Sequence, residues 1–309
     1  MPKGDNPKHK EHHIPRMYLD RFSVHGVDKP VVWQYDLKNK HMSPGPVPTD
    51  SVCFENDLYE FKDAQGHFLY QNRIENNLAP VEGGISAYFR KIDSKALENR
   101  NLATKCFLSK EEKGALLLFI AMHLSRIPET LKEAEKLIPQ FYGTSMSDVD
   151  RSNLSKFFCM ELFVNPKKQI DETSLFGKWC SMLLDMGFII YRAPTPVLFT
   201  SNQFLQLYPP ATPIIVDGLI HPESVAFPLS PTLFVYMCKK NKMNTGMKNN
   251  LVEMSEKLIA FVQERIVEFA DRWIYSCQPF TEDQIMMFKD IQKKKQINKF
   301  TSNNKGDQT

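Results

Sequence analysis

The chain has 309 residues, of which 42% are hydrophobic and 24% charged, and its formal net charge is +3. That is apolar material for one large core or two modest ones, and too little charge for binding driven by the polyelectrolyte character of the whole molecule. No two of the six cysteines lie within twenty residues of each other, which excludes zinc-ribbon and CxxC spacings. Their neighbours (Phe107, Phe158, Trp179, Met237) are apolar, so they read as buried, reduced thiols and point to a cytoplasmic location. The N-terminus carries no apolar leader, and the longest apolar run, Ala115–Met122, has eight residues, against about 20 for a bilayer span. No membrane association is expected.

Residues 1–11, with Pro2, Gly4 and Pro7, read as a flexible lead. Pro15 suits the first turn of a short helix that carries Tyr18, Leu19 and Phe22 on one apolar face. Strands are predicted at 29–37, 51–54, 58–61 and 67–70, the last two joined by a turn over 63–66, so residues 12–70 form a β-rich portion. Helical spacing follows over 72–92, with an interruption expected at Pro80 and the Gly83–Gly84 pair. Ser109 with Glu112 three residues on makes a capping box, opening a helix that bends at Pro128 and stops before Pro139. Amphipathic helices over 150–163 and 172–186 complete a helical portion, 72–186.

A second β-rich portion, 187–240, has strands at 188–191, 196–200 and 232–238 and a proline-rich loop over 203–224. The stripe Leu251, Met254, Leu258, Val262, Ile266, Phe269 and Trp273 predicts one helix over 247–274. The chain is therefore expected to fold as a single α+β domain over 12–275, followed by a basic helix over 282–296 and a disordered polar tail within 276–309.

Candidate site residues stand where polar groups interrupt apolar elements. His12 and His13 precede a helix N-terminus, whose positive end disfavours imidazolium; a neutral imidazole can act as a general base or metal ligand. Histidines hydrogen-bonded to a loop are the plain alternative. Arg16 near the same terminus could hold a phosphate, or simply form a surface ion pair. Glu75 and Glu82 share a helix face about 10.5 Å apart at 1.5 Å per residue; two exposed carboxylates are the commoner outcome. His123 and Arg126, three apart on a buried helix, need partners. A carboxylate such as Glu75 or Glu82 would satisfy them structurally, and a pocket that binds an anion would satisfy them functionally. Ser201 and Asn202 end a predicted strand, where loop-borne ligand groups and ordinary turns are both found. The lysines of the final helix lack interleaved aromatics and read as a solvated face. No P-loop, Rossmann fingerprint, nucleophile elbow or HExxH motif is present.

The opening His-x-x-Pro-x-x-Tyr-Leu-x-x-Phe of His12–Phe22 resembles that of the microbial family called domain of unknown function 4238. The Val32–Asp36 strand, the segment around Glu75 and Glu82, the helix with Arg126 and Pro128, the Thr200–Ser201 strand end and Phe227–Pro231 are similar to that family in the same order. The resemblance covers roughly 11–275 and implies that the opening stretch, the Glu75 helix, Arg126 and the Ser201 corner converge in space. Where the family's pattern has Ser-Asp-Asn-Pro, this chain reads Ser201-Asn202-Gln203-Phe204; an amide hydrogen-bonds but cannot act as a base.

Two functional expectations follow. In the first, a His/Glu/Arg pocket binds or hydrolyses a phosphate-containing ligand, a nucleotide or nucleic acid, as a phosphodiesterase or nuclease would. His12, His13, Glu75, Glu82 and Arg126 would form the catalytic set, with a divalent metal as candidate cofactor, and Arg16, His123, Ser201 and Asn202 would bind the ligand. It requires His12 and His13 to lie within about 12 Å of Glu75 or Arg126. In the second, the protein is a non-catalytic binding or interaction module, accessory to host defence or a mobile element.

Overall fold

The computed structural model describes residues 10–99, 103–143, 145–165, 174–208, 222–244, 246 and 248–306. The chain is α+β, as expected. Its first portion contains β1 (Lys10–His12), α1 (Arg16–Leu19), β2 (Val31–Asp36), β3 (His41–Met42), β4 (Val47–Pro48), β5 (Phe54–Asn56), β6 (Phe61–Lys62) and β7 (Phe68–Leu69). The helical portion holds α2 (Arg73–Glu98), the short β8 (Ala103–Thr104), α3 (Lys110–Arg126), α4 (Pro128–Tyr142), α5 (Asp148–Cys159), α6 (Glu161–Val164) and α7 (Leu175–Leu184). Then come β9 (Met186–Arg192), β10 (Thr200–Ser201), β11 (Gln206–Tyr208), β12 (Ser224–Ser230), β13 (Leu233–Lys239), β14 (Asn250–Glu253), α8 (Glu256–Phe269), β15 (Trp273–Ser276) and α9 (Glu282–Gly306).

Two larger sheets organise these elements. One runs β11-β12-β13-β9-β14-β8, antiparallel except for the parallel pair β14 and β9. The other runs β10-β15-β2-β3, with β4 also on β2. Two-stranded pairs, β1 with β5 and β6 with β7, flank the opening segment. The main core joins α1, α2, α3 and α7 to one face of the first sheet. Its centre is an aromatic cluster in which Tyr18 stacks on Phe204 at 4.2 Å, with Phe22 and Phe119 at 5.4 and 5.5 Å. A second core, with Tyr35, Phe199, Ile266 and Phe288, lies under α8 and α9.

Several expectations need correction. α2 runs unbroken through Pro80, because Pro80, Gly83 and Gly84 all face solvent, where water can take the freed carbonyl. α4 likewise continues past Pro139 to Tyr142, whereas the capping box of α3 forms as predicted and α3 and α4 meet at a 57° bend at Pro128. The predicted helix over 150–163 divides at Met160 into α5 and α6. The helix expected over 247–274 is instead β14, α8 and β15: Ser255 caps α8 by accepting from the Leu258 N–H, and tertiary pairing with β9 and β2 claims the flanking residues.

β12 escaped prediction because it contains Pro228, which the sheet accommodates at a register shift between Pro228 and Ser230. Of the strand expected over 51–54 only Phe54 forms one, as the first residue of β5; Ser51 ends a 3-10 turn and Cys53 has φ 55°. The strand expected over 196–200 shortens to β10, and the loop expected over 203–224 contains β11; residues 209–221 fall outside the described ones. α9 continues to Gly306, well beyond the expected stop at 296. Its Lys295 Nζ caps the end of α8, donating to the Val267 and Ala270 carbonyls at 3.1 and 3.0 Å. All six cysteines are free; Cys106 is exposed, contrary to the buried setting expected of it.

Candidate functional site

The segment from Glu11 to Phe22 is fixed at both ends. Downstream, the Tyr18 hydroxyl donates to the Pro228 carbonyl at 2.7 Å and shares a 2.7 Å hydrogen bond with the Thr200 hydroxyl. Arg21 donates to the Leu229 carbonyl at 2.6 Å and to Asp93 at 2.7 Å. Upstream, Arg126 holds the histidines by their backbone. Its Nη2 donates to the His12 carbonyl at 2.8 Å, its Nε to the His13 carbonyl at 3.2 Å, and its Nη1 to Glu82 at 2.5 Å. The Tyr59 hydroxyl bridges the His12 and Arg126 carbonyls at 3.3 and 3.1 Å, and the Tyr59 N–H donates to Glu11 at 2.6 Å.

The convergence required of His12, His13 and Arg126 is therefore met, through main-chain atoms. With Glu82 it forms a buried knot, and the half-buried Glu75 acts on Arg126 and Glu11 through its charge. Arg126 is 1% exposed and its guanidinium is engaged on three sides, so it braces the opening segment and does not reach a ligand. Glu82 is its counter-ion. Arg16 sits at the surface, 3.7 Å from Asp20. Among the described residues no group of three or more His, Cys, Asp or Glu is arranged to hold a metal ion, so the metal-bearing form of the constellation has no ligand set there.

What the structure does offer is a cleft of about 480 Å³ next to this knot. His13 and His123 line one side of it; Leu124, Ile127, Leu205 and Leu207 give it an apolar wall. Glu55, Glu129 and Asp271, all exposed, also line it, as does Asn202. Of the residues singled out in the sequence, His13, His123 and Asn202 meet here. His12, Glu75, Glu82, Arg126, Arg16 and Ser201 are not among its lining residues.

The electrostatics of the histidines follow from burial. Loss of solvent and the nearby Arg126 charge push His13 down to about 4 and hold His123 well below the usual imidazole range. Burial, then Arg126 and Arg16, lower His12 in the same way. All three are neutral at pH 7. The cause is mainly desolvation, not the short α1, which is a single turn. His123 is 3% exposed, its ring lies 4.3 Å from Phe204, and it bonds the His13 backbone. Its Nδ1, like the buried Nδ1 of His13 and Oγ of Ser201, has no hydrogen-bond partner among the described residues.

A family model described as Protein of unknown function (DUF4238) matches residues 10–279. The chain belongs to this family. No curated protein and no solved structure matches it.

In this DUF4238 chain the Asn202 position has a visible task. The Asn202 side-chain carbonyl accepts from the Arg272 and Trp273 N–H groups at 3.1 and 2.9 Å, tying the β10 end to β15. An aspartate at that position could accept the same two bonds, so the departure Asn202 keeps this role. Glu11, Tyr59 and the acidic rim escaped the sequence reading. Glu11 lay inside the expected flexible lead, and Glu55, Glu129 and Asp271 are scattered singly over three elements. Phe204 could have been suspected only from its position directly after the Ser201 corner.

Proposed function

We propose that this protein binds a small organic ligand in the cleft beside His13 and His123, through hydrogen bonds to neutral imidazole and apolar contact with Leu205 and Leu207. The observation that carries this reading is His123: almost fully buried, on the cleft lining, with Nδ1 unpartnered among the described residues. A buried polar atom without a partner costs about 1–3 kcal/mol, a cost that a ligand supplying the missing bond would offset. Concave, mostly apolar sites with a few converging polar groups are the usual form of small-molecule sites. His13, neutral and half-buried at the same place, can hydrogen-bond a bound molecule, while its depression to about 4 makes it a weak base.

A phosphodiesterase or nuclease draws less support from this lining. Phosphoryl chemistry calls for cationic groups at the developing charge, whereas Arg126 is buried and, among the described residues, no Lys or Arg lines the cleft. Binding is thus the better supported of the two expectations.

Thermal unfolding in the presence of a panel of amines, nucleotides, sugars and amino acids tests the proposal, with Leu205→Trp as a variant that fills the cleft. At least one panel member is expected to raise the wild-type midpoint by several degrees and leave the variant unmoved. The proposal fails if no compound separates the two proteins.

A further inference from the structure

We infer that the ligand of this cleft is an organic cation: an ammonium or guanidinium group, or two, on an apolar chain. The inference rests on the binding reading above and adds the charge of the occupant. Three carboxylates, Glu55 on β5, Glu129 in the first turn of α4 and Asp271 after α8, line one opening from three separate elements. None of the three has a salt-bridge partner among the described residues. Four of the cations around them are engaged with other groups; Lys132, one turn beyond Glu129 on α4, does not line this opening. Arg272, next to Asp271, forms a bidentate pair with Asp36 at 2.8 and 3.2 Å; Arg16 faces Asp20; Lys136 pairs with Glu133; Lys10 lies over the Phe54 ring.

Acidic side chains alone do not make a site. The independent observation is His123, 3% exposed on the same lining, whose Nδ1 has no partner among the described residues and is the acceptor of the neutral ring when the other nitrogen donates to the His13 backbone. An acceptor nitrogen below an acidic rim matches a hydrogen-bond donor that carries positive charge, and it repels a phosphate. The apolar wall of Leu124, Ile127, Leu205 and Leu207 suits the methylenes between or behind the charged groups. The absence of a metal-type cluster among the described residues turns the same argument away from a bare metal ion and toward an extended cation. A like-charged rim with low-dielectric walls also concentrates cations at the mouth, so association should be fast and sensitive to salt.

The test compares 1,8-octanediamine with 1,8-octanediol, equal in length and differing in charge, by calorimetric titration of the full chain at low and at 0.5 M salt. ATP serves as the anionic probe. The diamine is expected to bind, and to bind at least tenfold more tightly than the diol. Glu55→Gln, Glu129→Gln and Asp271→Asn should each weaken it by up to about fivefold, the range of an exposed ion pair, and high salt should weaken it further. These side chains are exposed, so the variants should keep the wild-type unfolding midpoint apart from a small helix-end effect at Glu129. Diamine affinity that is unchanged in the triple variant overturns the inference. So does preferential binding of the diol or ATP in a manner blocked by Leu205→Trp, a result that keeps the cleft as a site while reversing its charge preference. If none of the three probes binds in the cleft, the cation inference falls, while the binding reading stands or falls on the compound panel above.

Discussion

Glu11 and His13 lie two residues apart and titrate in opposite senses. Glu11 is 1% exposed; burial, and then the carboxylates of Glu60 and Glu75, push it up to about 8 against the help of the Tyr59 N–H and Lys156. The folded state thus keeps the Glu11 proton between pH 4.5 and 8, where the unfolded chain releases it. Its contribution to stability is complete below that window and is lost as pH rises through 8. His13 is depressed to about 4, so its contribution is complete above its ordinary value of 6.5 and is lost as pH falls toward 4. Between pH 6.5 and 8.5 only Glu11 of these two changes. Over that interval the wild-type unfolding midpoint is expected to fall, and Glu11→Gln should flatten the decline; parallel profiles for the two proteins would contradict the assignment. The sequence made part of this legible. A buried His123 and Arg126 were visible as polar breaks in an apolar helix, and their need for partners followed. Glu82 was one of the two carboxylates in reach as partner; that Arg126 would also grip the His12 and His13 backbone and not a ligand depended on contacts between residues over a hundred positions apart.

At the scale of elements, local signals succeeded where they had no competitor. The Ser109 capping box, the turn between β6 and β7 and the bend at Pro128 are all decided within a few residues. They misled where tertiary pairing overrode them, as in β14 and β15, or where solvent rescued a proline, as in α2. Pro80 lies on the exposed face inside α2, with one intrahelical N–H missing. Interior proline costs a helix about 3 kcal/mol, so Pro80→Ala should stabilise the protein, by an amount reduced to about 1 kcal/mol or more where the helix already accommodates the ring. Denaturant unfolding reads this directly. A destabilised Pro80→Ala would mean that the proline sets a bend on which packing of Ile74, Leu78 and Ile85 depends.

Across the whole molecule, the cleft lies where five segments come together: the opening stretch at His13, β5 at Glu55, the α3–α4 bend, the corner after β10 and the end of α8. The aromatic cluster around Tyr18 and the Arg126 knot hold that junction from either side, so the histidines are carried on a rigid support. No described helix is by itself long and apolar enough to cross a bilayer, and the apolar run of α3 is buried in the core. Of the convergence implied by the family-like order of motifs, the opening stretch, the helix of Arg126 and the corner after Ser201 meet at the cleft, while the Glu75 helix reaches only the Arg126 knot; the rim was not implied, because isolated surface carboxylates carry no pattern until the fold assembles them.

The most direct measurement is the imidazole nitrogen resonances of His13 and His123 during titration with 1,8-octanediamine, in the wild type and in Leu205→Trp. Both rings should report neutral nitrogens at pH 7, and both should shift on titration in the wild type only. Resonances that stay fixed in both proteins, or move equally in both, would contradict a ligand site between these two histidines.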